Sequence, residues 1–410
     1  MDFSYSPEEM AFQEGARAWL EARVVRRGNP QDGAEQHGYF ENVDRGPELL
    51  AEARDWQRQK AAGGWAALTW PIEHGGQGAS VTKQVLWESE EDDFLTPPNV
   101  FTIGLGYVGP TIMAYGTTEQ KAEFLRRIID GTDLWCQLFS EPEAGSDLAN
   151  VRTRVTRSGS EWEIEGEKIW TSRAHYADMG FLLARSEAGS TRHQGLTCFL
   201  LPMHTLGVVA RPLRQSSGLS NFNSVRFDGV RIDDSFRIGP VGEGWRVCRT
   251  SLANERVSIG MKSVRLTRNV FEQLFAKACR PSSTGHIPID DPVVRLRLAE
   301  FYRQVVILRL SGYRMLTAIS DGHEPGPEGS LLKLMQGRLI QDMCTEALSF
   351  TSLAADSANE IGAADWNYAF MNSSAGRIGG GTDEIQRNII AERVLRLPKE
   401  PSVSRDISRP

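Results

Sequence analysis

The hydrophobic periodicity of this chain changes twice along its length, and this change restricts the folds it can adopt. Between Val151 and Ile232 apolar and polar residues tend to alternate, which is the period of a half-buried strand. Before Trp135 and after Gly242 apolar residues recur at helical spacing. The sequence therefore predicts helices, then one antiparallel β-domain, then helices again, with a functional site at the junctions.

These changes of period predict an α+β composite fold of three domains and a short polar tail. In chain order they are an N-terminal helical domain (residues 1–135), a middle antiparallel β-barrel or sandwich domain (136–240), a C-terminal domain of the four-helix-bundle type (241–398) and the tail (399–410). Ser6 and Glu9 form a capping box around Pro7, which marks the first helix. The other predicted helices are 47–62, 81–92, 118–129, 245–278, 292–319 and 331–358.

Composition and charge argue against several classes of protein. The 410 residues carry a formal net charge of −7, without the basic surface expected of a nucleic-acid binder. The five cysteines are far apart and the histidines form no ligand pattern, so we expect neither disulfides nor a metal site. We see no signal peptide and no apolar run near the roughly 18 residues of a membrane span. We therefore expect a cytoplasmic protein without a membrane partner, or a matrix protein if a transit peptide was removed.

Two glycine-rich segments imitate nucleotide-binding motifs. Gly104 to Gly109 satisfies G-x-G-x-x-G, but Pro110 follows it and the nearest acidic candidate, Glu123, falls within a predicted helix. Gly379–Thr382 lacks the Gly-Lys-Ser/Thr ending of a phosphate-binding loop and has no strand before it. We expect the first segment to be a packing contact. The second is either a plain helix start, capped by Thr382, or a loop that approaches a ligand.

Two further segments have residue types suited to a flat or phosphate-bearing ligand. Ser140–Asp147 joins the helical region to the β-domain and is rich in small and hydroxyl residues, although ordinary turns share this composition. At the end of a predicted strand, Trp170 is followed by Thr171 and Ser172. The indole is either core or a wall for a flat cofactor, and Thr171 could donate a hydrogen bond to that cofactor.

Together, five motifs in order and spacing resemble the acyl-CoA dehydrogenases. They are GWAALTWP, FSEPEAGSDLA, GEKIWTSRA, ANERVSIG and GGGTDEIQRNIIAERVL, and the resemblance spans about residues 5 to 398. It implies an FAD-dependent enzyme that removes a proton and a hydride from the α and β carbons of an acyl-CoA, with the hydride moving to flavin N5. It also implies electron transfer to an electron-transfer flavoprotein.

The resemblance further implies roles for individual residues. FAD would bind between the β-domain and the C-terminal helices, with Trp170 packed on the isoalloxazine ring and Thr171 near N5. The other positions expected to contact FAD are Leu138, Phe139, Ser140, Gly145, Ser146, Ser172, Thr382 and Glu384. The positions expected to contact the acyl-CoA are Ser146, Arg256, Gly380 and Gly381, with a backbone N–H at Gly380 directed at the thioester oxygen.

The sequence departs from the common family pattern at the catalytic base. Many members carry a glutamate where this chain has Gly380, whereas a minority carry it on the helix after the β-domain, immediately before an arginine. That position is Glu255, which precedes Arg256, and we expect it to abstract the α-proton. The alternative is a surface ion pair. A second carboxylate in one small cavity would repel the first, which fits the glycine at 380.

Two segments that reach the FAD of a neighbouring subunit in many members are also altered here. They read Arg280-Pro281-Ser282-Ser283 and Ala358–Gly362, and only Arg280 offers a substitute. We expect a homodimer or tetramer, with a hetero-oligomer also possible. Two other functions stay open: an acyl-CoA oxidase or flavin monooxygenase of the same fold, and an FAD-poor partner subunit.

Overall fold

The computed structural model describes residues 5–28, 46–281, 285–323, 326–350 and 363–399. Within them the predicted order of helices, β-domain and helices is confirmed. The N-terminal helices are α1 (Pro7–Glu21), α2 (Pro47–Ala62), α3 (Val81–Asp92), α4 (Gly109–Tyr115) and α5 (Thr118–Ile129). The capping box forms as predicted, because Ser6 accepts from the Glu9 N–H at 3.2 Å and the Glu9 carboxylate accepts from the Ser6 N–H at 2.8 Å.

The G-x-G-x-x-G segment is a packing device. It forms a π-helical turn, Gly104–Val108, which continues directly into α4. A Cβ on Gly109 would stand 2.2 Å from the Trp70 ring, so only glycine allows this approach. Since the segment follows no strand, it lacks the context of a dinucleotide-binding site.

Eight strands form one sheet in the middle domain. They are β1 (Trp135–Leu138), β2 (Arg154–Ser158), β3 (Glu161–Ser172), β4 (Met179–Arg185), β5 (Leu196–Pro202), β6 (Val208–Leu213), β7 (Phe222–Asp233) and β8 (Arg237–Ile238). The order is β6-β7-β3-β2-β4-β5-β8, with β1 beside β4. Pairing is mainly antiparallel, as predicted. However, β1 runs parallel to β4, and β2 also pairs with β4 in parallel, at Arg154 and Arg185.

Strand β4 is buried on both faces and joins two cores. Leu182 and Ala184 face a core inside the β-domain that also holds Trp162, Phe199 and Phe227. Phe181 and Leu183, on the opposite face, pack against side chains of the helices on either side. Those helical side chains include Ile112, Ile128 and Val247. A strand covered on both faces reads as a continuous apolar run, which explains why β4 shows no alternation.

Within the described residues, the C-terminal region is built on four helices that pack together, each longer than two turns. They are α6 (Gly244–Ala278), α7 (Pro292–Ser320), α8 (Gly329–Ser349) and α9 (Ala363–Ser373), followed by α10 (Ala375–Ile378), α11 (Asp383–Ile389) and a π-helical turn (Ile390–Val394). Their shared core includes Leu274, Leu298, Met343 and Trp366. The predicted helix 331–358 begins at Gly329, and its last eight residues lie outside the described residues, as do 282–284 and 358–362.

No helix in the part of the chain that the structure describes is long and apolar enough to cross a membrane. Within the same residues, histidine, cysteine and acidic side chains form no cluster of three that could hold a metal ion.

Candidate active site

Helix α6 places Glu255 at the junction between the β-domain and the N-terminal helices. The side chain is half-buried, and its Oε2 accepts from Gln137 Nε2 on β1 at 3.4 Å. Burial raises the pKa of the Glu255 carboxyl, against smaller lowering effects of Gln137 and Arg256. The site thus holds a carboxylate poised to accept a proton at a higher pH than an exposed glutamate.

The alternation of β1 explains how Gln137 reaches this position. Its neighbours Cys136 and Leu138 are buried in the core of the β-domain, so Gln137 points to the opposite face, towards α6. Sequence reasoning did not select Gln137. The available signal was a single polar residue within the apolar strand Trp135-Cys136-Gln137-Leu138.

Tyr107 also faces Glu255. It is buried in the π-helical turn, and its pKa is raised first by burial and then by the charge of Glu255. Its hydroxyl interacts with Ser258, one helical turn after Glu255 on α6. Glu255 is therefore surrounded by hydrogen-bonding groups of the N-terminal region, of β1 and of its own helix.

The end of β3 has the features of a ligand site. Trp170 adopts a left-handed backbone (φ 59°) and is 59% exposed, which is a costly arrangement for a large apolar residue. The adjacent Thr171 is buried, and its Oγ1 has no hydrogen-bond partner. Asn223 fixes this segment, because its Nδ2 donates to the Thr171 carbonyl at 3.0 Å. An exposed ring beside an unpaired buried hydroxyl fits a flat polar cofactor such as a flavin.

A buried ion pair holds the segment that precedes the 140–147 turn. Lys168 Nζ donates to the Phe139 carbonyl at 2.9 Å and to Glu141 at 2.8 Å, and Glu141 also accepts from the backbone N–H groups of Arg152 and Thr153. Burial alone would raise the pKa of Glu141, but Lys168 and these hydrogen bonds outweigh it and lower the pKa. The pair therefore fixes the loop against β3.

The predicted residues of this loop occupy different environments. The side chains of Leu138 and Phe139 are buried in hydrophobic cores, so only their main chain is available to a ligand. Ser140 is half-buried, and its carbonyl accepts from the Ile169 N–H at 2.8 Å. Gly145 and Ser146 lie on the exposed surface of the turn.

The glycine triplet leads into α11 through a left-handed backbone that neighbouring side chains hold in place. Gly380 (φ 66°) and Gly381 (φ 88°) are both left-handed, and Thr382 caps α11 by accepting from the Ile385 N–H at 3.3 Å. The buried Lys333 donates to the Gly381 carbonyl at 2.5 Å. Gln386 donates to the Gly380 carbonyl at 2.9 Å. The Gly379 N–H is also engaged, because it donates to the Ala375 carbonyl at 2.9 Å. Glu384 is exposed and pairs with Arg387.

A cavity of about 1190 Å³ opens where the three regions meet. Its wall includes Gly106 and Met113 from the N-terminal region, and Tyr368 from α9. The β-domain contributes Ser172 and Arg173, and α6 contributes Asn254, Ser258 and Lys262.

Of the residues predicted from the sequence, only Ser172 lines this cavity directly. Glu255 is next to Asn254, which is part of the cavity wall. Among the described residues the glycine triplet is not part of this wall.

Arg256 lies beside Glu255 and is half-buried. Burial and the nearby Arg393 lower its pKa, whereas Glu255 has the opposite effect. Arg173, Ser258 and Lys262 were not selected from the sequence. The last of these could have been found from the four-residue spacing of Asn254, Ser258 and Lys262, which places all three on one helix face.

Three family models match the chain in order. They describe the N-terminal domain (residues 6–132), the middle domain (136–230) and the C-terminal domain (242–395) of acyl-CoA dehydrogenases. The chain is 37% identical over 404 residues to acyl-CoA dehydrogenase IpdE1 of Mycolicibacterium smegmatis, which covers 96% of this chain and 99% of that protein.

Two solved structures are similar over nearly the whole chain. The Tcur3481-Tcur3483 steroid ACAD matches with a TM-score of 0.78 and 25% identity, over 98% of this chain and 100% of that one. The ChsE4-ChsE5 complex from Mycobacterium tuberculosis matches with a TM-score of 0.75 and 27% identity, again over 98% and 100% of the two chains.

Proposed function

The chain belongs to the acyl-CoA dehydrogenase family, and from that premise we propose that it converts an acyl-CoA thioester to the trans-2-enoyl-CoA with Glu255 as the base. The observation that supports this role is the position of Glu255, half-buried between α6 and β1 and bonded to Gln137. The α-proton of a thioester is weakly acidic. A base with a raised pKa, as burial gives Glu255, suits its removal near neutral pH.

The proposed cofactor is FAD. When bound, it supplies the acceptor for the β-hydride. The exposed ring of Trp170 and the unpaired Oγ1 of Thr171 support a flavin ring at the end of β3. The residues proposed to hold the cofactor are the main chain of Leu138 and Phe139, with Ser140, Gly145, Ser146, Trp170, Thr171, Ser172, Thr382 and Glu384.

The thioester oxygen needs donors as negative charge develops on it. We assign this role to the backbone at Gly380 and Gly381, where Lys333 and Gln386 already occupy the two carbonyls. Arg256 and Ser146 are proposed to contact the CoA ester. Because the relatives include proteins titled steroid ACAD and the cavity measures about 1190 Å³, we propose a bulky acyl group, from fatty-acid or steroid side-chain catabolism.

Anaerobic titration of the purified holoprotein with a panel of acyl-CoAs tests this function. A substrate should bleach the flavin absorbance. Glu255→Gln should retain the yellow colour but lose the bleaching rate by at least about 10²-fold. Glu21→Gln, on the exposed face of α1, is the matched control and should behave as the wild type. Near-normal bleaching by Glu255→Gln would contradict the proposed base.

We further propose electron-transfer flavoprotein as the acceptor of the electrons. The measurement is reoxidation of the substrate-reduced protein, by air alone and with an electron-transfer flavoprotein added. Slow reoxidation by air and fast reoxidation by the flavoprotein are expected. Fast reoxidation by air would instead indicate an acyl-CoA oxidase.

The chain is also proposed to work as an oligomer. Helix α7 exposes Val293, Leu296, Ile307 and Leu310. At 100° per residue these fall within about 100° of one another, outside the face that packs into the core. An exposed apolar stripe of this kind marks an interaction surface. Two of the similar structures are titled with two protein names each, Tcur3481-Tcur3483 and ChsE4-ChsE5. The proposed partner is therefore either a second copy of this chain or a different, related chain.

Light scattering tests this proposal on the protein alone and after co-expression with a candidate partner. Leu296→Glu places a charge on the stripe and should reduce the oligomer mass. Arg309→Glu, exposed on the opposite edge of the same helix, should leave the mass unchanged. Equal masses for the two variants would contradict an interface at this stripe.

A further inference from the structure

The cavity contains two cations for which the described residues supply no ion-pair partner. Arg265, farther along α6, donates to Asp92 at 2.7 Å and also contacts Glu88. Lys262 and Arg173 line the same cavity, but no carboxylate of the described residues lies within 4.0 Å of either. Arg265, in contrast, is paired with two carboxylates, those of Glu88 and Asp92.

Lys262 is directed into the cavity rather than to the outer surface. Its side chain is exposed, and the space to which it is exposed is the cavity that it lines. The protein around the cavity lowers the pKa of its ammonium, first through desolvation and then through the charge of Arg173. Asp92 acts in the opposite direction, but its carboxylate is already engaged by Arg265.

Arg173 provides an independent sign of a missing ligand. It follows Ser172 at the end of β3 with a left-handed backbone (φ 53°), and its own N–H donates to the Asn221 carbonyl at 2.8 Å. Its side-chain Nε is buried and has no hydrogen-bond partner. A buried, unpaired guanidinium donor is costly, and a ligand with an acceptor oxygen would remove that cost.

The position of these groups relative to Glu255 defines what they can bind. Lys262 follows Glu255 by seven residues on α6, which is about 10 Å along the helix axis. An extended chain of about eight carbon–carbon bonds, or a fused two-ring system, spans this distance. A substrate whose α-carbon lies at Glu255 therefore presents the far part of its acyl group to Lys262.

Building on the proposed function, we propose that Lys262 and Arg173 bind an acceptor oxygen carried by the acyl group at its end remote from the thioester. The oxygen belongs to a carboxylate or to a carbonyl, and both accept from an ammonium and a guanidinium. A purely hydrocarbon acyl group would leave both cations desolvated and unpaired. The cavity therefore selects oxygenated acyl groups over hydrocarbon chains of equal length.

Three CoA thioesters of equal reach test the proposal: decanoyl-CoA, decanedioyl-CoA with a terminal carboxylate, and 9-oxodecanoyl-CoA with a ketone. The holoprotein is titrated with each by calorimetry and, anaerobically, by flavin bleaching. We expect at least one oxygenated ligand to bind about 10- to 100-fold more tightly than decanoyl-CoA. Lys262→Met should remove most of that preference by weakening the binding of the oxygenated ligands, while decanoyl-CoA should bind as tightly as before or more tightly. Comparing decanedioyl-CoA with 9-oxodecanoyl-CoA shows whether the site prefers a charged carboxylate oxygen or a neutral carbonyl oxygen.

Controls separate this proposal from the proposed function. Lys121→Met, on α5 away from the cavity, should leave the preference intact, and Lys262→Gln repeats the test if the methionine variant misfolds. Arg173→Met should lower the same preference. Bleaching by all three ligands without a binding preference would overturn the oxygen site and leave the dehydrogenase function standing. An equal loss of affinity for all three ligands in Lys262→Met would also overturn the oxygen site. A binding preference without bleaching would support the site and contradict the function.

Discussion

Gln137 on β1 and Glu255 on α6 face each other, with 3.4 Å between Gln137 Nε2 and Glu255 Oε2. One residue comes from a strand and the other from a helix more than a hundred residues later. The amide is a donor directed at the carboxylate, so it favours the ionised form, whereas burial favours the protonated form. The geometry thus sets the protonation of Glu255 by two opposing influences.

Removing the Gln137 amide should move the acid limb of the pH profile of kcat/KM to higher pH. In Gln137→Leu the lowering influence is lost, burial remains, and the pKa of Glu255 rises further. Because the base must be deprotonated, kcat/KM should fall off at a higher pH than in the wild type, with a similar plateau above that limb. The pH profile of kcat/KM measures this. An unchanged limb would show that Gln137 does not control the base.

The same burial has a consequence for folding. The folded state holds the Glu255 proton more tightly than the unfolded state does, since the folded pKa is raised. The contribution of this residue to stability therefore falls as pH rises from the ordinary carboxyl pKa through the raised value. Glu255→Gln carries no such charge. It should unfold at a higher temperature than the wild type at about pH 8, with the difference shrinking towards about pH 5.

Thermal unfolding of the flavin-free protein across this pH range provides the measurement. Glu21→Gln, at an exposed position of α1, should not alter the pH dependence of the melting temperature. A wild type that is more stable than Glu255→Gln at high pH would mean that the carboxylate is stabilised in the fold, contrary to its burial.

Breaking the Lys168–Glu141 pair should be far more damaging than removing a surface charge. Lys168→Met leaves Glu141 buried without its cation and should cost about 3–5 kcal/mol of the free energy of unfolding. Glu141→Gln in the same chain removes the stranded charge and keeps one acceptor oxygen, so one of the two N–H groups of Arg152 and Thr153 stays bonded and the double variant should recover part of the loss. Urea denaturation measures both, and Lys121→Met should stay within about 0.5 kcal/mol of the wild type.

The lowered pKa of Glu141 gives this loss a pH signature. The stability that the carboxylate contributes is present above its ordinary pKa and is lost as pH falls through the lowered folded value. Wild type and Lys168→Met should therefore converge in stability at acid pH. If the difference in free energy of unfolding between wild type and Lys168→Met stays constant down to acid pH, the loss comes from the packing of the lysine stem instead.

The parts of the fold that the sequence predicted are those set locally. The capping box at Ser6, the helix start at Thr382 and the period-two strands depend on residues within a few positions of each other. The parallel pairing of β1 with β4 was not predicted, because strand partners distant in sequence are chosen by tertiary packing.

The site shows the same division. Glu255, Trp170 and Thr171 were selected from motifs, which record residue types in order. Gln137, Arg173 and Lys262 were not, because their importance lies in where three separate elements meet. The angle at which α6 crosses the sheet decides which of its residues face the cavity, and no local pattern encodes that angle.

Trp170 offers a test that separates stability from ligand binding. Its left-handed backbone costs about 1–2 kcal/mol for a non-glycine residue, and its exposed indole gains little from the core. In Trp170→Gly the relief of strain offsets the added freedom of the unfolded chain. The free energy of unfolding of the flavin-free protein should stay within about 1 kcal/mol of the wild type, whereas FAD retention through gel filtration should fall.

Arg192 is the matched control for Trp170, because it also has a left-handed backbone (φ 52°) and an exposed side chain but lies in the β4–β5 loop. Arg192→Gly should leave both stability and FAD content near those of the wild type. Trp170→Phe, which keeps an aromatic ring, should retain more FAD than Trp170→Gly. If Trp170→Gly unfolds easily and still keeps its flavin, the indole supports the fold, and the strain at this residue has no connection with the cofactor.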